Sequence, residues 1–158
     1  MREDLKRVRG SIQKKTHHRD TKVTEYHSAQ PDATSTITAV RTLLHAVIHN
    51  AVVTSAATLW PVSLRVDAFV LHAAEILPFE EVEVVSVSTG ERFRTFIEPA
   101  QEGSGEVALH AGARSPVRTG DAISILSFAS FHEGQTLAHK PRIVTLGANN
   151  HVVSAGEG

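Results

Sequence analysis

With 158 residues, the chain has room for one compact domain of about 100–150 residues plus an appendage. It contains no cysteine, which excludes a disulfide framework and thiolate metal sites, and its formal net charge of −1 hides an uneven distribution along the chain. No apolar run follows Met1-Arg2-Glu3-Asp4 and no later stretch is long enough to span a bilayer, so neither a secretory signal nor a membrane span is expected and the cytoplasm is the expected compartment.

Residues 1–38 carry Arg2, Lys6, Arg7, Arg9, Lys14, Lys15, Arg19 and Lys22 against Glu3, Asp4, Asp20, Glu25 and Asp32. Few large apolar side chains accompany them, too few to offset the entropy of ordering. This segment reads as a basic, mostly disordered extension, with a transient helix near residues 3–13. A basic arm can bind nucleic acid or an anionic surface; a solvated extension is the expectation here. The polar, proline-broken stretch 29–35 is the expected linker.

A domain is expected over residues 39–147. Stretch 41–54 is ambiguous on pattern alone. Leu43, Leu44, Val47, Ile48 and Ala51 recur at helical spacing, yet Val47, Ile48, Val52, Val53 and Thr54 are β-branched and suit a pleated surface. A helix is expected over 67–74, with Asp67 as its amino-terminal cap and Phe69, Val70, Ala73 and Ala74 as its apolar stripe. Residues 81–87 alternate with β-branched side chains and stop at Thr89-Gly90, a turn. Residues 92–98 alternate again, with Phe93, Thr95 and Ile97 on one side and Arg92, Arg94 and Phe96 on the other. Further strands are expected at 107–109, 122–129 and 142–146, with turns at Gly103-Ser104-Gly105 and Thr119-Gly120-Asp121. Six or so short strands with one or two short helices make this an all-β chain, and closure into a barrel removes exposed strand edges. Residues 148–158 read as a flexible polar tail.

The histidines do not make a metal site. His17-His18 lies in the extension, His45 and His49 share a face only in a helix, and His132, His139 and His151 lack ligand spacing. No metal is therefore expected. No phosphate-binding loop or nucleophile elbow is present.

The segment Trp60-Pro61-Val62-Ser63, followed by Thr89-Gly90-Glu91-Arg92-Phe93-Arg94-Thr95-Phe96, resembles the self-cleaving segment and the substrate-binding strand of the pyruvoyl-dependent aspartate 1-decarboxylases. The resemblance runs without gaps over 41–128 and includes Arg41-Thr42, His49, Thr54, Asp67, Ala73-Ala74, Ile76-Leu77, Gly103-Ser104, Gly120-Asp121 and Ser127-Phe128. No dipeptide among these is specific, but the ordered set at fixed spacing is. The resemblance implies a double-psi β-barrel and a strand rather than a helix over 41–54. It also implies a homotetramer with sites between neighbouring subunits, and a possible maturation factor.

It further implies that Ser63 attacks the carbonyl of Val62, that the resulting ester eliminates and hydrolyses, and that a pyruvoyl cofactor derived from Ser63 remains. Thr95 corresponds to the threonine that polarises the scissile carbonyl, and Arg92 to the arginine that pairs with a substrate carboxylate. A surface ion pair of Arg92 with Glu91 or Glu98 is the structural alternative. The pyruvoyl ketone forms a Schiff base with the substrate amine and accepts electrons as carbon dioxide leaves. His49 is retained and is expected to support the pocket wall through a hydrogen bond.

Four positions depart from the family pattern. Val62 stands for a glycine whose missing side chain eases a strained turn. Phe96 stands for a proton-donating tyrosine, and Val47 for a lysine that helps hold the acidic substrate. His110 stands for an asparagine, and histidine can gain or lose a proton near neutrality, which suits it to replace the missing donor. Aspartate is therefore expected to bind less well, and a specialised substrate is expected in place of housekeeping β-alanine synthesis. The expected function is pyruvoyl-dependent decarboxylation of a small amino acid, aspartate or a related acid, after self-processing between Val62 and Ser63. The alternatives are an uncleaved barrel using Ser63, Arg92, Thr95 and His110 without a pyruvoyl group, and a non-catalytic binding barrel.

Overall fold

The structure is a computed structural model and describes residues 39–58, 62–111 and 115–158. The basic extension, the expected linker, Trp60 and Pro61 lie outside the described residues. In chain order the elements are β1 (Val40–Val52), β2 (Ser55–Ala57), β3 (Ser63–Asp67), α1 (Ala68–Ala74), β4 (Glu81–Ser86), β5 (Arg92–Ala100), β6 (Val107–His110), β7 (Ala122–His132), α2 (Glu133–Thr136), β8 (Arg142–Leu146), a 3₁₀ turn (Ala148–Asn150) and β9 (Val152–Glu157). None of the described helices is long and apolar enough to cross a membrane.

The ambiguous stretch is β1, paired antiparallel with β7 and parallel with β8. Register shifts at Leu44/Ala46 and Ile48/Ala51 break the two-residue alternation, so Ala46, Val47, Ile48 and Ala51 are all buried. Those bulges spread the apolar residues at helix-like spacing. α1 begins where expected, and the Asp67 side chain accepts a hydrogen bond from the Phe69 N–H at 2.8 Å.

The strands form one ladder in the order β2-β6-β3-β5-β4-β7-β1-β8-β9. β1 and β2 are six positions apart in this ladder, yet only Val53 and Thr54 connect them. Three Cα steps span at most about 11 Å, whereas six strand spacings in a flat sheet require about 29 Å. The sheet must therefore be rolled. The connection is pinned on both sides: Val53 N–H donates to the Asp121 carbonyl at 2.9 Å, and Thr54 N–H to the Val107 carbonyl at 2.8 Å. Ile48, Leu64, Ile97, Leu109, Ile123 and Ile125 fill the interior and are fully buried.

Residues 148–158 differ from the expected flexible tail. Asn150 is buried, and β9 pairs antiparallel with β8 from Arg142↔Glu157 to Leu146↔Val152. A strand held by backbone pairing needs no apolar run, so its polar composition gave no strand signal.

Candidate active site

β3 lies between β6 and β5, and its first residue is Ser63. Ser63 is fully buried, faces His110 in the antiparallel β3–β6 register, and has its Oγ 3.5 Å from His110 Nδ1. On the other side, the Thr95 hydroxyl donates to the Val62 carbonyl oxygen at 3.4 Å. Both contacts are at the long end of the hydrogen-bond range.

The registers decide which groups share a face. Leu64 is level with Ile97 in the parallel β3–β5 pair, so Ser63 is level with Phe96 and on the opposite face from Thr95. Thr95 thus approaches the Val62–Ser63 bond from the core side, and His110 from the outer side. Along the outer face, Phe96 stands opposite Glu81. In the next row Arg94, Glu83, Leu126 and Val47 are successive cross-strand partners. One row further, Arg92 faces Val85 and Val85 faces Ser124, whose Oγ lies 3.4 Å from His49 Nδ1. Ser63, His110, Phe96, Val47, Arg92 and His49 therefore belong to one face of the rolled sheet.

Arg92 does not pair with Glu91 or Glu98. Its Nη1 donates to Glu83 Oε1 at 2.6 Å, because the β4–β5 register brings Glu83 diagonally across from it. Arg94 pairs in the same way with Glu81, at 3.3 Å. Glu81 and Glu83 are site-face residues that sequence spacing alone did not reveal; their outward alternation along 81–87 was visible, but their partners depend on strand register. A cleft of about 340 Å³ opens on this face, lined by Thr42, Glu81, Val82, Glu83, Arg94 and Phe128. The larger cleft, about 550 Å³, lies beside α1 between Leu71, Ile76 and Pro99 and contains none of these residues.

Two features bear on local backbone and charge. Positive φ among the described non-glycine residues falls at Asn50, Glu75, Phe79, Asn149 and Asn150. At the far end of β3, burial opposes ionisation of Asp67. The N–H groups of Gly105, Phe69 and Gly103, with the charge of His151, outweigh that opposition and hold its carboxyl below the usual aspartate value. Among the described residues no group of three or more His, Asp or Glu side chains is placed to hold a metal ion.

Residues 39–153 match the profile described as aspartate decarboxylase. The chain is similar to the aspartate 1-decarboxylase of Methylibium petroleiphilum, with 37% identity over 114 residues, covering 72% of this chain and 95% of that protein. It is also similar to the aspartate 1-decarboxylase of Listeria monocytogenes serovar 1/2a, 36% identical over 71% of this chain and 88% of the relative. The enzyme of the same name from Staphylococcus epidermidis is 34% identical over 72% of this chain and 89% of the relative. The matched span begins one residue before β1 and ends within β9, so it takes in β1 to β8, the Ser63 strand included. The chain belongs to the aspartate decarboxylase family of carbon–carbon lyases, whose fold is the double-psi β-barrel.

Proposed function

We propose that this chain is a pyruvoyl-dependent decarboxylase of a small amino acid, aspartate or a related acid, that matures by breaking its own Val62–Ser63 bond. The observation that carries this reading is the hydrogen bond from the Thr95 hydroxyl to the Val62 carbonyl oxygen, at 3.4 Å. That donor stabilises the negative charge an attacked carbonyl develops. His110 Nδ1, 3.5 Å from Ser63 Oγ, is placed to take the hydroxyl proton.

The residues present fit the chemistry of making the group. Ser63 Oγ attacks the Val62 carbonyl carbon, the carbon–nitrogen bond breaks, and the freed amine takes a proton. Loss of the Ser63 α-proton then expels Val62 as a carboxylate and leaves dehydroalanine. Addition of water and release of ammonia complete the pyruvoyl group. Once formed, that group supplies an electron-accepting carbonyl as carbon dioxide leaves the substrate. Arg92 holds a substrate carboxylate through its planar donor fork. His110 returns a proton to the carbon that lost carbon dioxide, a task Phe96 cannot perform because it has no transferable proton. A cytoplasmic homotetramer with the outer sheet face against a neighbouring subunit, and a maturation factor where β-branched Val62 slows cleavage, belong to the same reading.

Intact-mass measurement of the purified protein tests it. The expected result is two chains, residues 1–62 and residues 63–158, the second blocked at its amino end. Carbon dioxide release from aspartate and related amino acids should accompany it and be lost in Arg92→Ala. A single chain of 17.1 kDa that persists on prolonged incubation overturns the proposal. If that uncleaved chain still consumes amino acids, the reading becomes catalysis by Ser63, Arg92, Thr95 and His110 without a pyruvoyl group.

A further inference from the structure

The outer face beside Ser63 carries two cross-strand ion pairs, and they are not equivalent. In the Arg94–Glu81 pair both side chains are largely exposed, at 74% and 67%. In the Arg92–Glu83 pair, Glu83 is only 19% exposed while Arg92 is 62% exposed. Glu83 stands on β4 between Arg94 of β5 and Leu126 of β7, so neighbours hold it on two sides. Arg92 is the first residue of β5 and reaches across to it, Nη1 to Oε1 at 2.6 Å. A short charge-assisted bond to a largely desolvated carboxylate is firmer than an exposed pair.

We infer that Glu83 is a specificity-determining residue: it neutralises Arg92 from within the protein, so the site disfavours a small amino acid whose side chain carries a second carboxylate. This rests on Arg92 being the ligand of the substrate carboxylate. A guanidinium has five N–H donors, so one substrate carboxylate can still bind to those Glu83 leaves. No net positive charge remains for another, because Arg92, Arg94, Glu81 and Glu83 sum to zero. The 340 Å³ cleft reinforces the point, since Glu81 and Glu83 line it beside Arg94. Ser63, Phe96 and Glu81 lie on neighbouring strands β3, β5 and β4, so the cleft begins about 10 Å from Ser63, two strand spacings away. A side chain ending in an amide or amine finds acceptors there, whereas a carboxylate meets the like charge of the less exposed Glu83, Glu81 being largely exposed and screened by solvent. Glu83 thus raises the KM for aspartate relative to amino acids with neutral or amine-bearing side chains and leaves the chemistry at Ser63 unchanged.

Calorimetric binding of succinate and propionate to the full chain provides a test that does not depend on processing. Glu83→Gln, which keeps size and removes the charge, should raise the affinity for succinate relative to propionate by about fivefold or more. Glu83→Asp should keep the native preference, and Glu81→Gln should change it by less than about twofold. In processed protein, Glu83→Gln should lower the KM for aspartate with kcat little changed. An unchanged ratio in Glu83→Gln, or an equal shift in Glu81→Gln, overturns the inference. So does an Arg92→Ala variant that binds both acids as the native chain does. An unprocessed chain that shows the Glu83→Gln shift overturns the decarboxylase reading and leaves the role of Glu83 standing.

Discussion

Ser63 and Thr95 sit at the same bond for different reasons. Ser63 precedes its own strand's core residues, while Thr95 belongs to the inward face of β5 and reaches the Val62 carbonyl from the interior. That hydrogen bond sets the Thr95 hydroxyl at the carbonyl to be attacked, so Thr95→Val, similar in shape without the hydroxyl, should slow cleavage by about a hundredfold. Thr95→Ser should retain most of the rate. Val62 has a β-branched side chain, so Val62→Gly, which widens the accessible backbone conformations, should cleave faster than the native chain. The decay of the uncleaved chain on a denaturing gel measures all three, and equal rates in Thr95→Val and the native chain would remove Thr95 from the mechanism. That Arg92 and Thr95 lie on opposite faces of one strand was legible from the alternation over 92–98. The contact of Ser63 with His110 and the partner of Arg92 were not, because both depend on how β3 registers with β6 and β4 with β5.

Asp67 joins three elements. Its carboxylate accepts from Phe69 N–H at the start of α1, and from Gly103 N–H at 3.0 Å and Gly105 N–H at 2.7 Å in the turn leading to β6. The end of β3 is thus fastened to the beginning of β6, the two strands that bring Ser63 to His110. The sequence shows half of this: Asp67 was readable as a helix cap from its place before an apolar stripe, but its hold on Gly103 and Gly105 is a long-range fact. Asp67→Asn puts an amide in place of an acceptor pair and should cost about 2 kcal/mol of stability at neutral pH. The pH dependence follows from the depressed carboxyl. Above the ordinary aspartate value of 3.8 the ionised form contributes its full stability, and that contribution is lost as pH falls through the lower folded-state value. The gap in melting temperature between the native protein and Asp67→Asn should therefore be widest above about pH 5 and shrink toward pH 2. A gap independent of pH would mean that the charge is not what the three N–H groups hold.

The rolled sheet is braced by a residue that composition assigned to a tail. Asn150 is 2% exposed; its Oδ1 accepts from Val52 N–H at 2.8 Å, and its Nδ2 donates to the Val52 carbonyl at 2.9 Å and the Gly105 carbonyl at 2.8 Å. One amide thereby ties the end of β1 to the turn before β6, two parts of the ladder that lie far apart in strand order. Gly105 is required at the same junction: its φ is +66°, and a Cβ there would stand 2.3 Å from the Asn149 carbonyl oxygen. Gly103-Ser104-Gly105 was legible as a turn, but the chain that packs against it comes from more than forty residues downstream, in a stretch without an apolar pattern. Removing the amide leaves the part-buried Val52 N–H and carbonyl and the buried Gly105 carbonyl without this partner, each costing about 1–3 kcal/mol. Asn150→Ala should therefore destabilise the protein by about 3–5 kcal/mol in urea unfolding. Asn150→Asp should do at least as badly, because a carboxylate cannot donate to the two carbonyls. Val153→Thr, on the exposed side of β9, should change stability by about 0.5 kcal/mol or less. If Asn150→Ala costs no more than Val153→Thr, the Asn150 amide does not brace the rolled sheet.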